Sequence, residues 1–150
     1  KGICLHKTLL YWVQHLVGCA HDQPLLTFLI AADTVIEIPA IPKEMAYGYL
    51  KVLVNAWYQG LQSPLPVACR TAFAYLGAYP ENAIAAAQSQ YEGDEWKDGE
   101  MHYDAYLGRF FPGFSSLTLA DTTHDFEFWV EALYRPVFDH VKQHDAEQHL

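Results

Sequence analysis

The chain of 150 residues is about half apolar, enough for one domain with a single core. Eighteen acidic against nine basic side chains leave a formal charge of −9, which repels a phosphate backbone and disfavours nucleic-acid binding by this segment alone. Cys4, Cys19 and Cys69 are odd in number with no CxxC pair, and the longest apolar stretch falls far short of the roughly 20 residues of a membrane span. A soluble protein with free thiols in a reducing cytoplasm is therefore expected.

The chain opens on Lys1, with an amphipathic element a few residues later, as expected of a piece of a longer polypeptide. Leu5, Leu9, Trp12, Val13 and Leu16 recur at three- and four-residue steps, which predicts a helix over 5–17 closed by "GCAHDQP". "LLTFLIAADTVIEIPAIP" divides at Ala32-Asp33 into two short β-rich segments, a β-hairpin that ends at Pro39 and Pro42. Over 43–61, Met45, Tyr49, Val52, Leu53, Ala56, Trp57 and Leu61 share one face of a long helix ending near Gly60. Pro64 and Pro66 force an extended link, and Val67, Cys69, Ala72, Phe73 and Leu76 predict a further helix over 67–78.

Residues 82–90 are alanine-rich and helical in pattern, whereas "YEGDEWKDGEMHYD" reads as an exposed acidic loop or broken helix. A helical turn follows over 102–111. "FPGFSSLTLADTTHD" is irregular, with Asp121 or Thr123 placed to cap a final helix over 125–141. The apolar face of that helix is Phe126, Trp129, Val130, Leu133, Val137 and Phe138, and "KQHDAEQHL" is a polar tail. No repeat, linker or interior boundary divides the chain, so residues 1–150 are expected to form one domain.

Several residues invite a chemical reading. Cys69 beside Arg70 suggests an activated nucleophile, because a nearby cation lowers a thiol pKa. Cys69 shares its helical face with Phe73 and Leu76, however, and the core reading is preferred. "DEWKDGE" places Asp94, Asp98 and Gly99 at positions one, five and six of a calcium loop. Trp96 and Ala105 occupy the third and twelfth positions, so the coordination sphere is incomplete and a solvated loop is expected.

His140 and His144, with Asp145 and His149 nearby, have spacing for a transition metal on one helical face, but only adventitious binding is expected at a polar terminus. Asp33 and Glu37 alternate onto one face of a strand, as the paired acids of a metal nuclease would. Pro39 stands where the lysine of an E-x-K signature belongs. His15 is expected to be a hydrogen-bonded helix-face histidine rather than a ligand. "GFSSL" is no nucleophile elbow, since Leu117 replaces the second glycine, and no GxxxxGK[ST] phosphate loop occurs. No catalytic, metal or cofactor-binding residue is assigned.

In order, "LLYWVQHL", the Leu-rich hairpin ending in prolines, "EMAYGYLKVLVNAWYQGLQSPLPVACRTAFAYL", "EGDEWKDGEMHYDAYLGRFF" and "FEFWVEALYRPVFDHV" resemble the C-terminal part of the RecC family. RecC proteins are gamma subunits of exodeoxyribonuclease V, the RecBCD helicase-nuclease. The likeness covers nearly the whole chain and is most specific from Leu50, Leu53 and Trp57 through Gly60 and "PLP" to "TAFAYL".

The resemblance implies a predominantly helical α+β domain with a small β-hairpin or sheet, part of a PD-(D/E)XK nuclease-like fold that has lost its catalytic acids and lysine. In the family, the gamma chain helps split the duplex and guide single strands, and its C-terminal region helps hold RecD in the complex. The implied function is non-catalytic scaffolding of subunit assembly and DNA handling in double-strand break repair and homologous recombination. RecB-like and RecD-like subunits are the implied partners, Mg²⁺ and ATP are used by those subunits and not by this segment, and DNA is met through the whole complex. Two rival readings are an autonomous metal-dependent hydrolase or nuclease using Asp33, Glu37 or the terminal histidines, and an unrelated interaction domain.

Overall fold

The computed structural model describes residues 5–21, 24–31, 34–119 and 124–145, with residue 145 described by its backbone alone. It is mostly helical with a three-stranded antiparallel sheet, in agreement with the α+β class read from the sequence. Its contacts gather into two compact units, Lys1–Asn55 with Pro136–Leu150, and Ala56–Arg135.

The first unit begins with a 3-10 turn, Leu5–Lys7, and helix α1, Leu9–Ala20. Thr8 joins them: its hydroxyl donates to the Leu5 carbonyl at 2.6 Å, and its own carbonyl accepts from Trp12 N. The face that α1 buries is Trp12, His15, Leu16 and Cys19, while Val13 is exposed. The stripe is rotated from the one expected because a histidine and a cysteine sit on the core side, where apolar counting does not look for them.

The predicted hairpin is present as β1, Thr27–Ile30, and β2, Thr34–Ile38, paired from Thr27 opposite Ile38 to Ile30 opposite Val35. Thr34, Ile36 and Ile38 are buried and Val35 and Glu37 half-buried, the alternation of a sheet covered on one face. The supposed polar tail supplies a third strand, β3, Lys142–Asp145, antiparallel to β2 from Thr34 opposite Asp145 to Glu37 opposite Lys142. An open edge recruits a neighbour through backbone N–H and C=O groups whatever its side chains, and a polar strand suits an exposed edge.

Helix α2, Lys43–Gly60, has the predicted extent, but its predicted core face is only partly covered. Ala46 and Ala56 are buried and Tyr49 and Leu53 half-buried, yet Met45, Val52 and Leu61 are exposed and Trp57 is 65 % exposed. Helical spacing fixes which residues share a side and does not fix what covers them.

In the second unit, α3, Cys69–Gly77, packs on α4, Ala83–Glu92, and Ala72 of the first helix and Ala83 and Ala87 of the second are buried. The expected turn over 102–111 is two short helices, α5, Glu100–Tyr103, and α6, Ala105–Phe110, separated at Asp104, whose carboxylate accepts from Tyr106 N and Leu107 N. The stretch read as irregular holds a further short helix, α7, Phe114–Thr118.

The final helical run begins with α8, Phe126–Trp129, capped by Asp125, whose carboxylate accepts from Phe128 N at 3.0 Å. Asp121 and Thr123, the expected caps, lie outside the described residues. A π turn, Val130–Tyr134, leads into α9, Arg135–His140. Pro136 has no N–H for the carbonyl four residues earlier, and widening the preceding turn accommodates that loss. Phe126, Trp129, Val130 and Val137 are buried as predicted, and Leu133 and Phe138 half-buried.

His15 is 1 % exposed, with Nδ1 2.9 Å from the Thr27 hydroxyl and Nε2 3.5 Å from the Cys19 sulfur. Its ring stacks on Trp12, which also meets Tyr49 and His140. Burial holds its pKa below the ordinary 6.5, against an opposing hydrogen bond to the Pro39 backbone, and His140 depresses it further. Below about pH 6.5 the unfolded chain takes up a proton at this position that the folded chain refuses, so stability falls as pH falls. Urea unfolding should show a lower midpoint at pH 5.5 than at 7.5, with a smaller drop in His15→Gln. An unchanged drop in that variant would show that His15 does not carry the effect.

Candidate functional site

The chemistry-bearing residues of the second unit converge on the start of α3. Ala68 precedes it in extended conformation without a side-chain cap, so the first N–H groups of the helix need other acceptors. Glu100 provides them from the first turn of α5. Its Oε1 accepts from Arg70 N at 2.9 Å, and its Oε2 accepts from Thr71 N at 2.8 Å and from the Thr71 hydroxyl at 2.9 Å. The carboxylate is buried, and it lies where helix peptide dipoles favour negative charge.

Cys69 sits beside this carboxylate, half-buried, with its thiol pushed up to about 12. Burial is the main cause and the Glu100 charge adds to it; Arg70 and a hydrogen bond with Tyr134 act the other way. Arg70 is exposed, its guanidinium 5.9 Å from the centre of the Tyr103 ring. Burial and Glu100 also push Tyr134 upward. At neutral pH the sulfur is therefore a protonated packing group and not a thiolate nucleophile. Sequence adjacency had pointed to Arg70 as the controlling charge, whereas a residue 31 positions downstream opposes it more strongly.

The acidic loop is closed by its own backbone. The Asp94 carboxylate accepts from Trp96 N at 2.8 Å and Lys97 N at 2.9 Å, Asp94 N donates to the Lys97 carbonyl, and Gly93 bridges Asp98. Ala105, the twelfth position of the calcium template, begins α6, a different element.

On the sheet, Glu37 lies 3.7 Å from Lys142 Nζ and 3.5 Å from His144 Nε2, both on β3. A lysine does reach this carboxylate, from a neighbouring strand and not from the position of Pro39. Asp33, the other acid of the pair, lies outside the described residues, as does His149, while only the backbone of Asp145 is described. His140 and His144 do not share a helical face. His140 ends α9, with Nδ1 2.8 Å from the Pro136 carbonyl and its ring against Trp12 and Tyr49, whereas His144 is on β3. Among the described residues, no group of three or more His, Cys, Asp and Glu side chains is placed to hold a metal ion, and no helix is long and apolar enough to cross a membrane.

Glu100 and Lys142 were missed by sequence reading. Nothing local marks Glu100, whose partners are 29 and 30 residues away. For Lys142 the available signal was a positive charge in a segment long enough to pair with β2. Replacing Glu100 by Gln sets an amide N–H₂ against a backbone donor and should lower stability by about 1–3 kcal/mol in urea unfolding. Burial and the Glu100 charge keep the thiolate fraction of Cys69 in the native chain well below that of an ordinary thiol. Mass-resolved alkylation should therefore be slow at Cys69 and faster in Glu100→Gln, because the neighbouring negative charge is gone. Alkylation at the rate of a free thiol in the folded parent would contradict the burial of Cys69.

No curated relative matches the chain. The model of the RecC C-terminal domain matches residues 3–80, a span that holds α1, the hairpin, α2, the proline link and α3. That match covers more than half of the sequence, and the chain belongs to the RecC C-terminal domain family.

Proposed function

We propose that this chain is a non-catalytic scaffold within the gamma subunit of a RecBCD complex, docking neighbouring subunits so that they handle DNA ends during double-strand break repair and homologous recombination. The family match over residues 3–80 carries the reading, since the family ties the chain to RecBCD, an exodeoxyribonuclease V. The charge of −9 favours contact with protein over a strand-lining surface. So do the large apolar side chains left in solvent, among them Tyr47, Trp57, Tyr58, Leu61 and Trp96.

In this reading RecB-like and RecD-like subunits are the partners, they use the Mg²⁺ and ATP, and the setting is the cytoplasm. The α+β fold would be a nuclease-like fold without a working site. Pro39, standing where the lysine of an E-x-K signature belongs, supports that reading.

Co-purification of the RecB-like and RecD-like subunits with the parent gamma chain, with and without this region, tests the proposal. Loss of the RecD-like subunit from the shortened complex is expected, and unchanged assembly would remove the docking role. The purified segment should not cleave DNA with Mg²⁺ or Mn²⁺. Cleavage that Asp33→Ala abolishes would establish the hydrolase instead.

A further inference from the structure

Trp96 is 91 % exposed, at the tip of the loop between α4 and α5. Tryptophan is rarely left this free, because its ring is the largest apolar surface a side chain offers. The loop that carries it is held at both ends. Gly93 N donates to the Ser89 carbonyl at the end of α4, and Glu100, at the start of α5, is fixed by its bonds to α3.

Between these ends the backbone admits few side chains. Gly93 has φ +84°, and a Cβ there would collide with the Lys97 carbonyl and Gly99 N. A Cβ at Gly99 would run into the Tyr91 carbonyl. The Asp94 carboxylate then ties down Trp96 N and Lys97 N. The indole is thus presented in solvent on a backbone that is already ordered, and little backbone entropy remains to be lost when it is covered.

Beside the loop lies a cleft of about 310 Å³ lined by Ala74, Ala86, Gln90, Asp94, Lys97 and Asp98. Its alanines suit an aliphatic stem, and its two carboxylates, which outnumber the one lysine beside them, suit a cationic head, the two parts of a lysine or arginine side chain. The loop from Asp94 to Asp98 carries three acids and one lysine around the indole. We infer that Trp96 is a docking anchor that inserts into an apolar pocket on a neighbouring subunit, with a lysine or arginine from that pocket's rim entering the adjacent cleft. The inference rests on the subunit-docking reading above and names its contact point.

The test uses the full gamma chain and its partner subunits. Because Trp96 is solvent-exposed, Trp96→Ala should leave the unfolding midpoint of the free chain unchanged. It should weaken assembly about 30-fold, the effect of losing a central aromatic anchor, with Trp96→Phe intermediate. The double change Glu95→Lys and Asp98→Lys should also weaken assembly and reduce its sensitivity to salt. Oxidative footprinting read by mass spectrometry should show Trp96 protected in the complex and reactive in the free chain.

Assembly of Trp96→Ala within twofold of the parent, or equal oxidation of Trp96 in both states, overturns the inference. Protection that appears only when DNA is added also overturns it, in favour of base stacking. If removing the whole region abolishes assembly while Trp96→Ala does not, this contact falls and the docking function stands. If removing the region changes nothing, both fall.

Discussion

A buried carboxylate that closes a helix end from a distance is the constraint on which the second unit depends. Glu100 gives the first N–H groups of α3 their acceptors, and in doing so fixes the start of α5 against a helix 30 residues earlier in the chain. The same device recurs. Glu92, at the end of α4, accepts from Phe114 N at the start of α7, while its other oxygen accepts from Gln88. Asp104 and Asp125 close α6 and α8. Helices of four to nine residues are too short to be stable through their own hydrogen bonds, so their ends and their packing decide whether they form. Part of the acidic excess of the chain is therefore structural, placed where helix dipoles and orphan N–H groups stabilise negative charge.

The caps differ in how far along the chain they reach. Asp104 and Asp125 act on residues two and three positions ahead, within the range of local sequence patterns, although the caps expected from the sequence were Asp121 or Thr123 and not Asp125. Glu100 and Glu92 act across 30 and 22 positions, and no local pattern distinguishes them from the surface acids beside them. The long helix, the hairpin and the final helix were legible because period 3.6 and period 2 are imposed by geometry on any buried face. Strand β3 was not, since its side chains are polar and its pairing depends on the edge that β2 leaves open. The short helix α7 was hidden for a related reason: a single turn is too brief to show a period, and its cap comes from Glu92.

The candidate site follows the same logic. Cys69 beside Arg70 looks like a nucleophile only while sequence neighbours are taken for spatial ones. In the folded chain burial and the Glu100 charge outweigh the guanidinium, which lies on the Tyr103 ring. Glu37 shows the reverse error. Its sequence neighbour two positions on is a proline, yet the sheet brings Lys142 and His144 to it across a strand. Both cases turn on electrostatic partners supplied by tertiary structure, which falls off with distance in space and not with separation along the chain.

What the interior does with aromatic and polar groups bears on why so much apolar surface remains outside. The first unit closes its core with Trp12, His15 and small or branched aliphatics, and the second uses Tyr91, whose hydroxyl donates to the Phe111 carbonyl, with Phe114 and Phe126 around it. Along α2 the buried positions are alanines, whereas the tyrosines at 47 and 58 and the tryptophan at 57 face solvent. A helix that packed its rings inward would gain far more from burial than one that packs Ala46 and Ala56. The arrangement leaves that stabilisation unrealised in the isolated chain and available to a partner that covers the helix, in keeping with the proposed docking role.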